Sequence, residues 1–245
     1  MIRALLTAAF LALPSMAAAV VCEDTSYEGN RFTLCTVDVA TEELRLFLRD
    51  TDGAILGQFR DIQRELADRR FLAFAMNAGM YHSDRRPVGH YVEFGDQETP
   101  LLTKASKGNF GLLPNGVFCI NDTRADVIET LTFATTKPAC EHATQSGPML
   151  VIDGELHPRF LVDSTSKFIR NGVGTSADGK TAHFVISRNS VTFHEFGRYF
   201  RDVLQTPNAL YFDGKISRLH APAINRSDPG FLMGPIVGVV ETSAN

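Results

Sequence analysis

The chain has 245 residues, of which 44% are hydrophobic, and its formal net charge is −4 at pH 7. That length allows one sizeable core, and all-β or mixed single domains of this size are common. The mildly acidic balance argues against nucleic-acid binding, which needs a basic surface. No linker, low-complexity tract or internal repeat interrupts the sequence, so we expect a single domain over residues 20–245.

Residues 1–19 have the pattern of a cleaved secretory signal peptide. Arg3 supplies the positive start, Ala4–Met16 is an apolar stretch too short to span a bilayer as a helix, and Ala17–Ala19 resembles a cleavage site. Pro14 argues against the alternative, a buried N-terminal helix. No later stretch is long and apolar enough to cross a membrane, so we expect a soluble mature protein, periplasmic or secreted.

Export makes the four cysteines structurally informative. An even number in an oxidising compartment favours disulfides. Proximity in the sequence favours Cys22–Cys35 and Cys119–Cys140 among the three connectivities. A zinc site is the alternative, but no pair has C-x-x-C spacing and no histidine completes a recognisable pattern.

Most apolar runs are short, aromatic or β-branched, and bounded by Gly, Asn, Asp or Pro, which is typical of strands. Asp153–Gly154 and Asp178–Gly179 predict hairpin turns. The predicted strands are Phe32–Val37, Leu44–Leu48, Phe71–Met76, Gly89–Phe94, Asn109–Leu113, Val117–Ile120, Met149–Ile152, Ala182–Ile186, Ala209–Phe212 and Met233–Val240.

Two helices interrupt this series of strands. The first is predicted between Gly57 and Asp68, where apolar residues share one face opposite the charges. The second begins with a capping box, in which Thr192 and Glu195 each satisfy a free backbone amide, and Pro207 ends it. The order of elements predicts an α+β fold with a mixed or antiparallel sheet and a few helices.

Four polar-glycine clusters adjoin the predicted strands: Asn77–Tyr81, Gln145–Pro148, Arg170–Gly174 and Asp213–Gly214. Glycine allows a sharp turn or a close approach to a ligand, and a polar side chain beside it can point into the opening. Each cluster taken singly is also an ordinary turn, because these residues are the usual turn formers. Together they suggest one site assembled from several strand ends.

No nucleophile elbow, P-loop, complete dinucleotide fingerprint or H-E-x-x-H motif is present. Asp213, at the end of a strand, suits acid or base catalysis or a simple turn. Arg170 could clamp a phosphate or carboxylate, or pair with a surface acid. Ser146 could donate to an oxyanion or cap a turn, and Asn77 offers a donor and an acceptor. Glu93 would be partly buried if its strand is central.

Seven stretches of this chain resemble the phosphodiester glycosidase family, long catalogued as a domain of unknown function. Its animal member is the uncovering enzyme, which removes N-acetylglucosamine from a sugar phosphodiester on lysosomal enzymes. The resemblance runs from about Phe32 to Val240 and is greatest to short exported bacterial members, often linked to exopolysaccharide. The stretches are Ala75–Tyr81, Pro87–Glu93, Lys107–Phe110, Pro114–Val117, Ala143–Met149, Ile169–Gly174 and Pro207–Gly214.

The resemblance assigns the four clusters to family motifs. The Asn-x-Gly-x-aromatic motif begins at Asn77, the Ser-Gly-Pro motif at Ser146, the Arg-x-x-x-Gly segment at Arg170, and the Asp-Gly-Gly-x-Ser motif at Asp213. Lys215 replaces the second glycine of the last motif, which concerns substrate identity more than fold. The substrate-binding residues implied in this way are Asn77, Gly79, Tyr81, Ser146, Gly147, Asn171, Gly172 and Ser217.

The resemblance implies cleavage of the bond between a sugar's anomeric carbon and a phosphate oxygen. Arg170 would hold the phosphate, and Asp213 would activate water or stabilise the oxocarbenium-like centre. Glu93 or Asp84 is the candidate second carboxylate. The resemblance implies no certain cofactor. A divalent cation held by Asp213 and the Asn77 loop is the alternative. The alternatives are a non-catalytic periplasmic module that binds acidic glycan and an envelope-assembly protein.

Overall fold

The structure is a computed structural model that describes residues 20–243, so the predicted signal peptide lies outside the described residues. It contains three sheets, in which all pairs of named strands are antiparallel, and a few short helices. The predicted α+β class is confirmed. No helix among the described residues is long and apolar enough to span a membrane.

The elements are numbered along the chain. The strands are β1 Val21–Tyr27, β2 Asn30–Asp38, β3 Glu43–Phe47, β4 Arg70–Asn77, β5 Tyr91–Glu93, β6 Asp96–Thr99, β7 Gly116–Asn121, β8 Arg124–Glu129, β9 His142–Ser146, β10 Met149–Ile152, β11 Glu155–Leu156, β12 Asn171–Thr175, β13 Thr181–Ser187, β14 Asn208–Asp213, β15 Leu219–Ala221, β16 Arg226–Ser227 and β17 Ile236–Thr242. The α-helices are α1 Phe59–Glu65, α2 Thr130–Thr136 and α3 Phe193–Arg198.

The three sheets differ in size and are named here A, B and C. Sheet A has the order β1-β2-β13-β12-β14-β10-β11, sheet B the order β16-β15-β4-β17-β3, and sheet C the order β6-β5-β9-β7-β8. Strands distant in the sequence are therefore neighbours, as with β12 and β14 in sheet A or β4 and β17 in sheet B.

The core lies where the three sheets meet. Phe184 of sheet A is surrounded by Phe74 of sheet B, at 4.8 Å between ring centroids, and Phe118 of sheet C, at 5.8 Å. Phe118 also contacts Phe212 of β14. All four side chains are fully buried, and each contributes about 1.5–3 kcal/mol of hydrophobic stabilisation.

Strand β12 was not among the predicted strands, because Gly172 and Gly174 are typical of turns. All five residues of β12 are nevertheless buried between β13 and β14. A Cβ atom on Gly172 would overlap the carbonyl oxygen of Leu210 on β14. The glycine therefore permits a close approach of two strands and makes no turn.

The predicted strand Asn109–Leu113 is wrong, since these residues form bends and turns. Leu112 N–H donates to the Asn109 carbonyl at 3.2 Å, and Asn115 Nδ2 donates to the Phe110 carbonyl at 2.8 Å. Burial of Phe110 inside a tight loop produces the apolar pattern that indicated a strand.

The second predicted helix begins as expected and continues differently. Both hydrogen bonds of the capping box are present, from Glu195 N–H to Thr192 Oγ1 at 3.1 Å and from Thr192 N–H to Glu195 Oε2 at 2.7 Å. After α3 the backbone widens to a π-helical turn over Tyr199–Val203. This turn allows the adjacent Tyr199 and Phe200 both to be buried.

Turns and disulfides follow the sequence predictions. Asp153–Gly154 joins β10 to β11, and Asp178–Gly179 lies in the turn from β12 to β13. Cys22–Cys35 joins directly paired positions of β1 and β2, and Cys119–Cys140 ties β7 to the segment before β9. Helix α2 was missed, because its short run of threonines has little helix propensity.

Candidate functional site

Asp213 is the last residue of β14 and begins a tight loop. Lys215 N–H donates to Asp213 Oδ1 at 2.9 Å, and Ser217 Oγ donates to the Asp213 carbonyl at 2.8 Å. A Cβ atom on Gly214 would overlap the hydroxyl oxygen of Tyr211. The loop therefore folds back on the strand and holds the Asp213 carboxyl beside its end.

Two buried asparagines fix the backbone of this loop. Asn77 ends β4 and Asn171 begins β12, and Asn171 Nδ2 donates to Asn77 Oδ1 at 2.9 Å. Asn171 Oδ1 accepts from the Asp213 N–H at 3.2 Å, while Asn77 Oδ1 accepts from the Arg218 N–H at 3.0 Å. Both side chains have no exposed surface, so here they position Asp213 and do not face an opening.

Ser146 plays a similar positioning role from sheet C. Its hydroxyl donates to the carbonyl of Phe212, the residue before Asp213, at 2.9 Å, and the side chain is fully buried. Its proton therefore already has an acceptor within the fold, and a role of this hydroxyl toward a substrate oxygen stays a prediction. The next residue, Gly147, packs against Asn115. A Cβ atom added to Gly147 would lie 2.5 Å from the Cβ atom of Asn115.

The loop after β4 brings Tyr81 to the same place. Gly79 lies against sheet C, and the adjacent Ala78 carbonyl accepts from Thr144 Oγ1 at 2.9 Å. Tyr81 is partly buried, and its hydroxyl donates to the Leu232 carbonyl at 3.1 Å. Burial and the nearby charge of Asp213 raise the pKa of Tyr81.

Arg170 lies in a largely aromatic pocket beside these elements. Its guanidinium carbon is 3.6 Å from the centroid of the Phe193 ring and 5.4 Å from that of Tyr211. Nε donates to the Val191 carbonyl at 2.9 Å, and Nη2 donates to the Ser166 carbonyl at 3.1 Å. Nη1 is buried with no hydrogen-bond partner among residues 20–243. Burial lowers the pKa of Arg170, yet an arginine stays charged at physiological pH.

Tyr211 lies close enough to both Arg170 and Asp213 for their charges to shift its pKa. It was not among the site residues predicted from the sequence. Burial raises its pKa, as does the charge of Asp213, while Arg170 lowers it. Its position within an apolar strand made it resemble an ordinary core residue. No local signal marked it, because Tyr211 and Asp213 are separated by a β-bulge and lie opposite adjacent residues of β12.

The Asp213 carboxyl is shielded from solvent, and this burial raises its pKa. Hydrogen bonds from the backbone around Lys215 oppose the shift without cancelling it. A carboxyl whose pKa is shifted toward neutrality suits proton transfer or charge stabilisation in a reaction.

The two candidates for a second carboxylate lie elsewhere. Glu93 Oε2 accepts from the Tyr91 hydroxyl at 2.8 Å, burial raises the pKa of Glu93, and Arg45 lowers it. Asp84 is exposed and pairs with Arg86 at 2.7 Å. Within residues 20–243, Glu93 and Asp84 form hydrogen bonds with Tyr91 and Arg86, and neither of these partners contacts Asp213 through a hydrogen bond.

A divalent cation has little support from the side chains near Asp213. Asn77 Oδ1 already accepts two N–H groups, so this amide does not offer a free ligand oxygen. Within residues 20–243, no group of three or more His, Cys, Asp or Glu side chains is arranged to hold a metal ion.

The sequence of this chain is similar to one protein family and to a protein of Escherichia coli. A family model described as phosphodiester glycosidase matches residues 71–222, which include all four polar-glycine clusters. The uncharacterized protein YigE of Escherichia coli is 31% identical over 204 residues, covering 82% of this chain and 80% of that protein.

Solved structures show the same fold at low sequence identity. The catalytic domain of zebrafish N-acetylglucosamine-1-phosphodiester alpha-N-acetylglucosaminidase, auto-inhibited by its pro-peptide, matches with a TM-score of 0.59, 11% identity, 90% of this chain and 81% of that one. A hypothetical protein from Synechocystis matches with a TM-score of 0.60 and 11% identity, and 90% of this chain aligns with 61% of that protein's length.

Proposed function

Because this chain belongs to the phosphodiester glycosidase family, we propose that it is an exported hydrolase acting on a sugar-1-phosphodiester of envelope or exopolysaccharide-related glycans. The observation that carries the proposal is the partly buried Asp213 carboxyl at a strand end, whose Oδ1 accepts from Lys215 N–H. Hydrogen bonds among Asn77, Asn171 and Ser146, one residue from each sheet, and the backbone beside Asp213 fix its position. Arg170 and Tyr211 lie beside it and supply the groups that an anionic substrate requires.

In the proposed reaction, water attacks the anomeric carbon and the bond from that carbon to the phosphate oxygen breaks. Asp213 in its ionised form accepts a proton from the water and stabilises the developing positive charge on the sugar. The products are the free sugar and a phosphate monoester, and the proton later leaves Asp213 for solvent. A phosphate is already a good leaving group, so the reaction depends less on a second carboxylate.

Arg170 is proposed to stabilise the departing phosphate. Its Nη1 has no partner in the described part of the chain, and a phosphate oxygen would satisfy this buried donor. The Phe193 ring and two backbone carbonyls fix the guanidinium, so its charge is oriented before the substrate binds. The Tyr81 and Tyr211 hydroxyls lie within reach of the Asp213 charge, which raises the pKa of both.

Export is part of the proposal. The two disulfides are typical of proteins that fold in an oxidising compartment, and the predicted signal peptide would direct the chain there. The mature protein is therefore proposed to act in the periplasm or outside the cell.

The test is incubation of the mature protein with a panel of sugar-1-phosphodiesters, with release of free sugar and phosphate monoester as the readout. Asp213→Asn should lower kcat by about 10²–10⁴. Asp153→Asn is the matched control, since Asp153 is also an aspartate before glycine at a strand end, but it is exposed and directly follows β10. Tight binding of acidic glycans without turnover of any phosphodiester would instead favour a binding module.

A further inference from the structure

Two segments with exposed apolar side chains flank the Asp213 loop. One is the loop between β11 and β12, which presents Phe168, and the other is the turn before β17, which presents Phe231 and Leu232. Phe168 and Leu232 are each 49% exposed, and Phe231 is 79% exposed. Neighbouring apolar side chains left in solvent mark a surface that binds something apolar.

Phe168 is held directly against the loop. A Cβ atom on Gly214 would lie 3.6 Å from the Cβ atom of Phe168. The Phe168 backbone is bridged to Val191 in both directions, at 3.1 and 2.8 Å. Its ring centroid lies 5.4 Å from the guanidinium carbon of Arg170. An exposed ring is thus fixed between the proposed phosphate-binding arginine and the Asp213 loop.

The second segment is tethered through its backbone, which leaves its side chains in solvent. The Leu232 carbonyl accepts from the Tyr81 hydroxyl at 3.1 Å, and the Phe231 carbonyl accepts from Arg218 Nη1 at 2.7 Å. Arg218 in turn donates its N–H to Asn77, the residue that also fixes Asn171. The backbone of this segment is therefore linked, through Arg218 and Asn77, to the hydrogen bonds that position Asp213.

We propose that these two segments bind the apolar part of the substrate, so that the preferred substrates are amphiphilic sugar-1-phosphodiesters whose phosphate carries a long hydrocarbon chain. This inference rests on the proposed function. The chain is covalently attached to the phosphate and must leave the site across its rim, where Phe168 and Leu232 lie. Leu161 and Val162, in the same loop between β11 and β12 as Phe168, are also strongly exposed.

The bond changes are those of the proposed hydrolysis. Water oxygen bonds to the anomeric carbon, the bond from that carbon to the phosphate oxygen breaks, and the hydrocarbon chain leaves on its phosphate monoester. The apolar segments take no part in these steps. Their effect is on binding, where each methylene group that is buried is worth about a fourfold gain in affinity.

The experiment compares methyl, hexyl and decyl esters of one sugar 1-phosphate, all below their micelle concentrations. Wild-type kcat/KM should rise at least about tenfold from the methyl to the decyl ester. The double variant Phe168→Ser, Leu232→Ser should reduce this ratio to within about twofold. Leu131→Ser is the matched control, because Leu131 is 53% exposed on α2, and it should keep the wild-type ratio.

Failure of the inference and failure of the proposed function give different results. Equal kcat/KM for all three esters would overturn the inference and retain the function. If no ester is hydrolysed, the function fails, and calorimetric binding of decyl phosphate against methyl phosphate decides the inference. Stronger binding of decyl phosphate that the double variant loses supports it. Equal binding of the two phosphates overturns it, and association with neutral vesicles in that case assigns the surface to membranes.

Discussion

Asp213 and Glu93 are both shielded carboxyl groups at strand positions, and burial raises the pKa of each. Their partners differ. Lys215 N–H donates to the Asp213 carboxyl, and the guanidinium of Arg170 in the neighbouring aromatic pocket donates to two backbone carbonyls. Glu93 accepts from the Tyr91 hydroxyl and lies near Arg45, which is also close to Glu43.

A shielded carboxyl with a raised pKa is therefore not enough to identify a reactive group. The region around Glu93 carries several charges of both signs, so a negative charge there is balanced within the fold. Among residues 20–243, the side chain of Arg170 donates to backbone carbonyls and to no carboxylate, and an anionic substrate would complete this arrangement.

The largest expected effect comes from exchanging the two carboxyl groups for amides. Asp213→Asn should lower kcat by about 10²–10⁴, because the amide cannot accept a proton. Glu93→Gln should change kcat less than about threefold, since its contacts lie outside the Asp213 group. Steady-state kinetics on the phosphodiester that the wild type hydrolyses checks both, and a comparable loss for Glu93→Gln would restore Glu93 as the second carboxylate.

Arg170, which is buried, and Arg45, which is partly buried, extend the comparison to the cationic groups. Arg170→Lys should lower kcat by roughly 10²–10³, because lysine cannot keep the ring contact and both backbone hydrogen bonds while presenting a further donor. Arg45→Lys is the control near Glu93, where the guanidinium also lies over aromatic rings. Equal kcat for Arg170→Lys and wild type would remove Arg170 from the proposed mechanism.

The hydrogen bonds behind the two carboxyl groups should differ in their effect on stability. Asn171→Ala leaves buried polar groups of Asn77 and Asp213 without partners, at a cost of about 1–3 kcal/mol. For a domain of this size, each kcal/mol lowers Tm by roughly 2–4 °C. Tyr91→Phe removes one partner of Glu93 and should lower Tm less. Thermal unfolding measures both, and kcat should fall only for Asn171→Ala.

The smallest effect concerns pH. Since the proposed mechanism uses ionised Asp213, activity should fall as pH decreases through the raised pKa of this carboxyl, at a higher pH than for an ordinary aspartate. The same shift means that the folded state favours the protonated form, so this contribution to stability is lost as pH rises through that pKa. Asp213→Asn should therefore be more stable than wild type at neutral pH, which denaturant unfolding at two pH values checks.

Much of the fold could be predicted from local signals. The capping box at Thr192, the two Asp-Gly turns and both disulfides depend on residues close in the sequence, and each is present. Strand β12 could not be predicted in this way, because Gly172 is explained only by the approach of Leu210 from another strand.

The structure brings the predicted motifs Asn77, Ser146 and Asp213 together, but it gives Asn77 and Ser146 other partners than the sequence suggested. Asn77 and Ser146 were expected to face a substrate, since polar residues beside glycine often do. Their partners, Asn171 and Phe212, are 94 and 66 residues away along the chain, and no local pattern shows that these side chains turn inward. Tyr211 was missed for the opposite reason, since a tyrosine in an apolar strand resembles core packing.

The hydrogen bonds that fix Asp213 also determine when the site can form. Asn77 belongs to sheet B, Asn171 to sheet A and Ser146 to sheet C. Such distant contacts form late in folding, because long loops must close first. A partly folded chain would therefore lack the proposed hydrolytic activity, and recovery of that activity during refolding would report the docking of all three sheets.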